Sequence, residues 1–159
     1  RENQLQTQPS DKPEPLGQIV VECNDQTSHR LAVELHRSGF PVVCIATDQS
    51  EAEQLRTDRL SAVVGKVTDR LTLSEANVDA AKAVVLSGLH FVDGSDAIGK
   101  IRVLSPGVHI IIRAANEVDR KFFAEQTTAN LVLMDEQMIA EYMTASVREQ
   151  CASRIIVAQ

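Results

Sequence analysis

A short polar turn joins a run of β-branched residues to a helical stretch near the start of the chain. The turn reads CNDQTS over residues 23–28 and contains no glycine. In many α/β proteins a turn at this place is rich in glycine and holds a phosphate against the N-terminus of the following helix. A carboxylate at Asp25 would repel that phosphate. We therefore expect Asp25 to cap the helix itself, helped by Thr27 or Ser28.

Lys66 and Thr68 follow a third β-branched run, which ends at Gly65. The ammonium group of Lys66, with the hydroxyl of Thr68, could bind a phosphate or a smaller acidic ligand. Lys66 could equally form an ion pair with Asp25 or Glu22 across the ends of the strands. The sequence leaves both interpretations open, with the ion pair favoured.

Asp48 and Arg113 are two further candidates for ligand contacts. Asp48 follows the second β-branched run, where its carboxylate could meet a ribose hydroxyl. It also begins the pattern Asp-x-x-Glu that caps helices, and this structural role is favoured. Arg113 ends the fifth run, so it could either contact a ligand at the sheet edge or be an ordinary exposed arginine.

No pattern in the sequence indicates catalysis or a metal site. The three cysteines contain no CxxC pair, which is typical of buried free thiols in a reducing compartment. The four histidines have neither i,i+4 partners nor carboxylates at ligand spacing. No serine lies in a nucleophile elbow, and no carboxylates are paired by periodicity. We expect no metal and no enzymatic activity. The cysteines are Cys23, Cys44 and Cys151, and the histidines are His29, His36, His90 and His109.

Size and charge exclude two further classes of function. The chain has 159 residues, of which 43% are apolar, enough for the core of one domain. Its formal charge of −6 and the absence of a Lys/Arg cluster disfavour nucleic-acid binding. Its apolar runs are far shorter than the roughly 20 residues that span a bilayer. Because the chain starts at Arg1 without a methionine, we expect it to be part of a longer protein.

Short β-branched runs alternate with helical stretches, which predicts an α/β protein with a Rossmann-like, doubly wound parallel sheet of six strands. Residues 1–17 are rich in Gln, Pro and charge, and are expected to be a flexible linker or tail. Residues 18–135 are expected to form the sheet domain, and residues 136–159 a C-terminal helix and tail. The predicted strands are 18–23, 41–47, 61–65, 82–88, 108–114 and 130–134. The predicted helices are 27–37, one from 48, 68–78, 95–104, 117–126 and one from Asp135, its cap.

Several segments, taken in order, resemble the RCK domain, also called KTN or TrkA-N. The resemblance covers roughly residues 17–143 and is carried by the first strand and by four further segments. These are GKVTD (65–69), VDAAKAVVLSG (78–88), SPGVHIIIRAANEVD (105–119) and ANLVLMDEQMIAEYM (129–143). The family supplies cytosolic regulatory domains of potassium channels and potassium transporters.

The resemblance implies a site for NAD(H) or an adenine nucleotide whose key residues are all changed in this chain. The three phosphate-binding glycines fall on Cys23, Asp25 and Ser28. The ribose-binding acid after the second strand falls on Ala46, and the Asp of a GDAT-like motif falls on Lys66. We therefore expect the fold to be retained and the NAD or nucleotide site to be lost. The positions left in a degenerate pocket are Asp25, Ser28, Asp48, Lys66, Thr68 and Arg113.

The resemblance also implies a function. The expected function is a cytoplasmic gating or assembly domain, tethered to the inner face of a membrane through a potassium channel or transporter. One alternative is a nucleotide- or ion-sensing domain with a pocket rebuilt around Lys66. An NAD-dependent oxidoreductase is disfavoured by the missing glycines and acid.

The last helix carries an apolar stripe, and the resemblance implies a homo-oligomer, a dimer or larger. The resemblance implies that this helix crosses to a partner subunit. Packing of the same apolar stripe onto the chain's own sheet is the open alternative. The stripe consists of Ile139, Tyr142, Met143 and Val147, with Cys151 at the same i,i+4 spacing.

Overall fold

The computed structural model of this protein describes residues 17–157, with side chains described for residues 17–152. Except for Gly17, the predicted tail at residues 1–17 lies outside the described residues, as do residues 158–159. The strands are β1 (Gln18–Cys23), β2 (Val42–Ala46), β3 (Ser61–Val64), β4 (Ala81–Ser87), β5 (His109–Ala114) and β6 (Leu131–Met134). The helices are α1 (Gln26–Arg37), α2 (Gln49–Thr57), α3 (Arg70–Glu75), α4 (Phe91–Leu104), α5 (Glu117–Gln126) and α6 (Asp135–Val157).

The six strands form one parallel sheet in the order β3-β2-β1-β4-β5-β6. The chain runs outward from β1 to β3 and then returns to β4, so the winding direction reverses between β1 and β4. In sheets of this kind a crevice opens beyond the carboxyl ends of the strands at the reversal. The predicted Rossmann-like doubly wound sheet is confirmed, and it puts the ends of β1 and β4 at the place where a ligand would bind.

Apolar residues of the central strand point alternately to two cores, one on each face of the sheet. Val20 of β1 belongs to a core with Leu73 of α3 and Phe123 of α5. Val21 belongs to a second core with Ala32 of α1 and Leu55 of α2. Since successive side chains of a strand point to opposite faces, a continuous apolar run is what a strand covered on both faces requires.

Helix α4 begins at Phe91, four residues before its predicted start at Ser95. The early start includes Gly94, although glycine is a poor helix former. Packing explains why glycine is accepted, because the backbone of α4 lies close to the buried ring of Phe123. A Cβ atom at Gly94 would come within 2.5 Å of two Phe123 ring carbons and 3.3 Å of Ile112.

We expect Gly94→Ala to lower the free energy of unfolding by about 1–2 kcal/mol. The added methyl group overlaps the Phe123 ring, which is fully buried, so the ring or the helix has to shift within the core. Urea unfolding followed by circular dichroism measures the change.

Gly99 provides the matched control on the same helix. Apart from the adjoining residues and the backbone of its own helix, no atom lies within 4 Å of a Cβ built at Gly99, which is exposed. Gly99→Ala should therefore raise the free energy of unfolding by about 0.5–1 kcal/mol, the usual helix-propensity gain. A stabilising effect of Gly94→Ala would contradict this packing.

Candidate functional site

Asp25 and Ser28 form a capping box at the N-terminus of α1. Asp25 is the N-cap residue, and its carboxylate accepts a hydrogen bond from the Ser28 backbone N–H at 2.9 Å. The Ser28 hydroxyl in turn accepts from the backbone N–H groups of Asn24 and Asp25 at 3.1 and 3.2 Å. The predicted cap is confirmed, with Ser28 rather than Thr27 as its partner. Side-chain oxygens thus occupy three of the backbone N–H groups at the turn where a phosphate would bind.

Arg113 connects the same turn to the last helix. Its guanidinium Nη2 donates to the Asp25 carboxylate, and its Nε lies 3.3 Å from Oδ1 of Asp135. Burial alone would raise the pKa of Asp25, but hydrogen bonds from Ser28 and Arg113 outweigh burial and lower it. The prediction that Asp135 is the cap of α6 is wrong. Asp135 is the first residue within that helix, and its carboxylate faces Arg113.

Glu22 and Asn24 occupy the crevice at the reversal point between β1 and β4. The Glu22 carboxylate accepts a hydrogen bond from the Ser87 backbone N–H at 2.9 Å, and the Asn24 amide donates to the Ser87 carbonyl at 2.5 Å. Burial raises the pKa of Glu22 to about 7, although the Ser87 hydrogen bond partly opposes the rise. The side chains of Glu22 and Asn24 therefore link the end of β1 to the end of β4, at the place where a dinucleotide would pass.

Sequence reasoning considered Glu22 only as an ion-pair partner of Lys66 and did not identify it as a buried acid. The signal was available, because a glutamate interrupts an otherwise apolar strand, VVEC. A strand residue with apolar neighbours on both sides faces one of the two cores or the crevice, so a charge there requires a partner.

Lys66 and Thr68 line a cavity of about 170 Å³ together with Glu22 and Asp93. The favoured prediction of an ion pair between Lys66 and Asp25 or Glu22 is wrong. Within the described part of the chain, no carboxylate lies within 4 Å of the Lys66 ammonium group. Asp25 is paired with Arg113 instead, since the two side chains meet across the ends of β1 and β5.

Asp48 lies in a different recess, a groove of about 570 Å³ between α1 and α2 that Asp25 also lines. Its carboxylate accepts the Glu51 backbone N–H at 2.9 Å, so its predicted role as the cap of α2 is confirmed. Glu51 reaches back to the backbone N–H of Thr47 at 3.1 Å.

The six predicted pocket residues do not converge on one cavity. Asp25 and Asp48 share the groove between α1 and α2, whereas Lys66 and Thr68 share the cavity beside Glu22. Arg113 lines a third cavity, of about 340 Å³, together with Gly88 and Asp135. Ser28 is buried beneath the α1 turn. The edge of the sheet is thus divided by its own side chains into separate recesses.

The cysteines differ in environment. Cys23 and Cys44 are fully buried, as predicted, but Cys151 is exposed on α6, which corrects the expectation of a buried thiol there. A hydrogen bond with the Cys44 thiol, together with burial, raises the pKa of Cys23 and makes this thiol a poor nucleophile. Among the described residues, no three His, Cys, Asp or Glu side chains come together as metal ligands.

Helix α6 leaves the sheet domain with its apolar stripe uncovered. Every residue from Asp135 to Ala152 is exposed. The alternative in which the stripe packs onto the chain's own sheet is therefore wrong for these residues. The exposed fractions are 60% for Ile139, 77% for Tyr142, 61% for Met143 and 60% for Val147. Within residues 17–157, no helix is both long and apolar enough to cross a bilayer.

Comparison with known proteins identifies relatives of the whole sheet domain. The family model for the TrkA-N domain matches residues 19–135. The putative cation/proton antiporter YbaL of Escherichia coli (strain K12) is 25% identical over 126 residues, covering 79% of this chain and 22% of YbaL. The chain thus spans about a fifth of the length of this curated relative.

Solved structures share the fold. The crystal structure of the TrkA-N domain of inner membrane protein YbaL from Escherichia coli has a TM-score of 0.72 and 24% identity, over 82% of this chain and 95% of that chain. The GsuK channel bound to NAD has a TM-score of 0.64 and 22% identity, over 79% of this chain and 22% of that chain.

Proposed function

Because the chain belongs to the TrkA-N domain family, also called RCK or KTN, we propose that it is a cytoplasmic regulatory domain of a potassium channel or cation transporter. It acts by assembling with other copies of itself and has lost the usual NAD or nucleotide site. It is not an enzyme. The membrane protein it serves is part of the same chain or a partner chain, and tethers it to the inner face of the membrane. The cation/proton antiporter YbaL and the GsuK channel support this class of partner.

One observation carries the loss of the nucleotide site. The Asp25 carboxylate caps α1 and pairs with Arg113, so that it occupies the N-terminus of α1 where a dinucleotide phosphate would bind. A phosphate at this position would have to displace an anion that is already bound by two partners. Asn24, held to Ser87, further narrows the path between the ends of β1 and β4.

The experiment is thermal unfolding of the chain with millimolar NAD⁺, NADH, AMP, ADP, ATP or Ca²⁺. We expect none of them to shift the midpoint. A ligand at about 100 times its dissociation constant would stabilise the native state by roughly 2.7 kcal/mol, which corresponds to several degrees.

The matched variant is Asp25→Gly, tested with inorganic pyrophosphate. Removing the carboxylate frees Arg113 and the α1 backbone donors, so pyrophosphate should raise the midpoint of the variant but not of the unmodified chain. If a nucleotide stabilises the unmodified chain, the proposed loss of the site is wrong.

A second candidate function is a sensor whose pocket is rebuilt around Lys66. It is favoured by one observation: among residues 17–152 no carboxylate lies within 4 Å of the Lys66 ammonium, and Lys66 lines the same cavity as Glu22 and Thr68. In this case at least one of the compounds in the thermal unfolding experiment would stabilise the unmodified chain. AMP is the smallest nucleotide among them. Lys66→Ala would abolish that shift, and Arg59→Ala, at an exposed arginine of the α2–β3 turn, would preserve it.

Assembly is proposed to use the exposed stripe of α6. A stripe of large apolar side chains on a helix that leaves its own domain is suited to a second copy of the same helix. The proposed interface residues are Ile139, Tyr142, Met143 and Val147.

A further inference from the structure

Arg113 forms ion pairs both with the N-terminal turn of α1 and with the first residue of α6. It extends from the end of β5 and is largely buried, with 20% of its side chain exposed. Asp25 is 36% exposed and Asp135 is 56% exposed. The bond to Asp25 is the better shielded of the two and is therefore the stronger, since solvent weakens ion pairs.

Asp25 is in turn fixed by elements outside α6. Ser28 holds its Oδ1 atom through both the backbone N–H and the hydroxyl, at 2.9 and 2.8 Å, which leaves Oδ2 for Arg113. An arginine held on one side by a fixed carboxylate loses little further conformational entropy when it binds a second one. The position of the guanidinium that faces α6 is thus set by the α1 turn.

The rest of α6 has few constraints from its own domain. Its residues from Asp135 to Ala152 are exposed, and its first turn follows β6 without an intervening loop. The Arg113 contact is the ion pair that joins this first turn to the sheet within the described residues.

We propose that Asp25 acts as a built-in substitute for a bound anion and, through Arg113, fixes the start of α6 at the sheet edge without any ligand. Arg113 is then a positioning residue that links the α1 turn to the helix proposed to carry the subunit interface. The link does not depend on which transport protein the domain serves.

Hydrogen exchange followed by mass spectrometry tests this link in the intact chain at one protein concentration. Asp25→Asn retains a good N-cap but removes the charge that holds Arg113. We expect exchange at residues 138–142, within the first two turns of α6, to become about two- to fivefold faster in this variant, whereas core amides of β1 and β4 keep their rates.

Two further variants separate the ion pair from the cap. Asp135→Asn should speed exchange at residues 138–142 as Asp25→Asn does while leaving α1 unchanged. Ser28→Ala weakens the capping box but keeps the Asp25 carboxylate, so it should affect α1 far more than α6. Unchanged α6 exchange in Asp25→Asn or in Asp135→Asn would overturn the proposal, and so would equal loosening of α6 by Ser28→Ala.

Discussion

Glu22→Gln should raise the free energy of unfolding by about 3 kcal/mol at pH 8 and by no more than about 1 kcal/mol at pH 5. Burial raises the pKa of the Glu22 carboxyl from 4.5 to about 7 in the folded chain. Between these two values the folded chain retains a proton that the unfolded chain has released. Stability therefore falls as the pH rises from 4.5 to 7, and the loss is complete above 7.

The groups that face Glu22 explain why the ionised form is costly. Asp25 and Glu51 add negative potential, and the Ser87 backbone N–H is the donor that partly compensates for burial. Lys66 lines the same cavity but lies too far away to form an ion pair. Glutamine retains an oxygen for the Ser87 bond and never ionises, so it removes the penalty without removing the contact.

Urea unfolding of both proteins at several pH values between 4.5 and 8 measures this effect, and the difference between the two curves isolates Glu22 from other titrating groups. Glu53→Gln is the control, because Glu53 is exposed on α2. It should change stability by less than about 0.5 kcal/mol throughout. If the free energies of unfolding of the unmodified chain and of Glu22→Gln ran parallel across this pH range, the pKa of Glu22 would not be raised and the prediction would be wrong.

Ile139→Glu should weaken self-association of the chain at least thirtyfold. Ile139 is the first residue of the α6 stripe and is 60% exposed in the single chain. If the stripe pairs with a second copy, the substitution removes an apolar contact and buries a charge without a partner in the interface, a loss of about 2 kcal/mol or more. Analytical ultracentrifugation over a range of micromolar concentrations gives the dissociation constant.

Thr144→Glu is the matched control for charge and helix position. It adds the same side chain to the same helix, roughly opposite to Ile139, and should leave association within a few fold of the original. Circular dichroism should show the same fold for both variants, because the two sites are exposed. A chain that stays monomeric at high concentration, or equal effects of both variants, would contradict the stripe as the interface.

Local patterns were sufficient for the fold and for two of the functional side chains. Strand β1 and helix α1 follow from periodicity and from the polar turn between them. The capping roles of Asp25 and Asp48 depend on backbone groups only three residues away, so they could be predicted from spacing. The exposure of α6 was left open, because an apolar stripe is the same whether it packs on its own sheet or on another chain.

What the sequence determined by itself was therefore the alternation of strands and helices, the six-stranded α/β fold, the caps and the absence of the glycine turn. Only the tertiary structure decided that Arg113, 88 positions along the chain from Asp25, is its ion partner in place of Lys66. It alone showed the bond from Ser87 to Glu22 and the division of the sheet edge into separate recesses. The physical reason is range: caps and periodicity act over a few residues, whereas ion pairing and burial depend on which strand ends become neighbours once the sheet has formed.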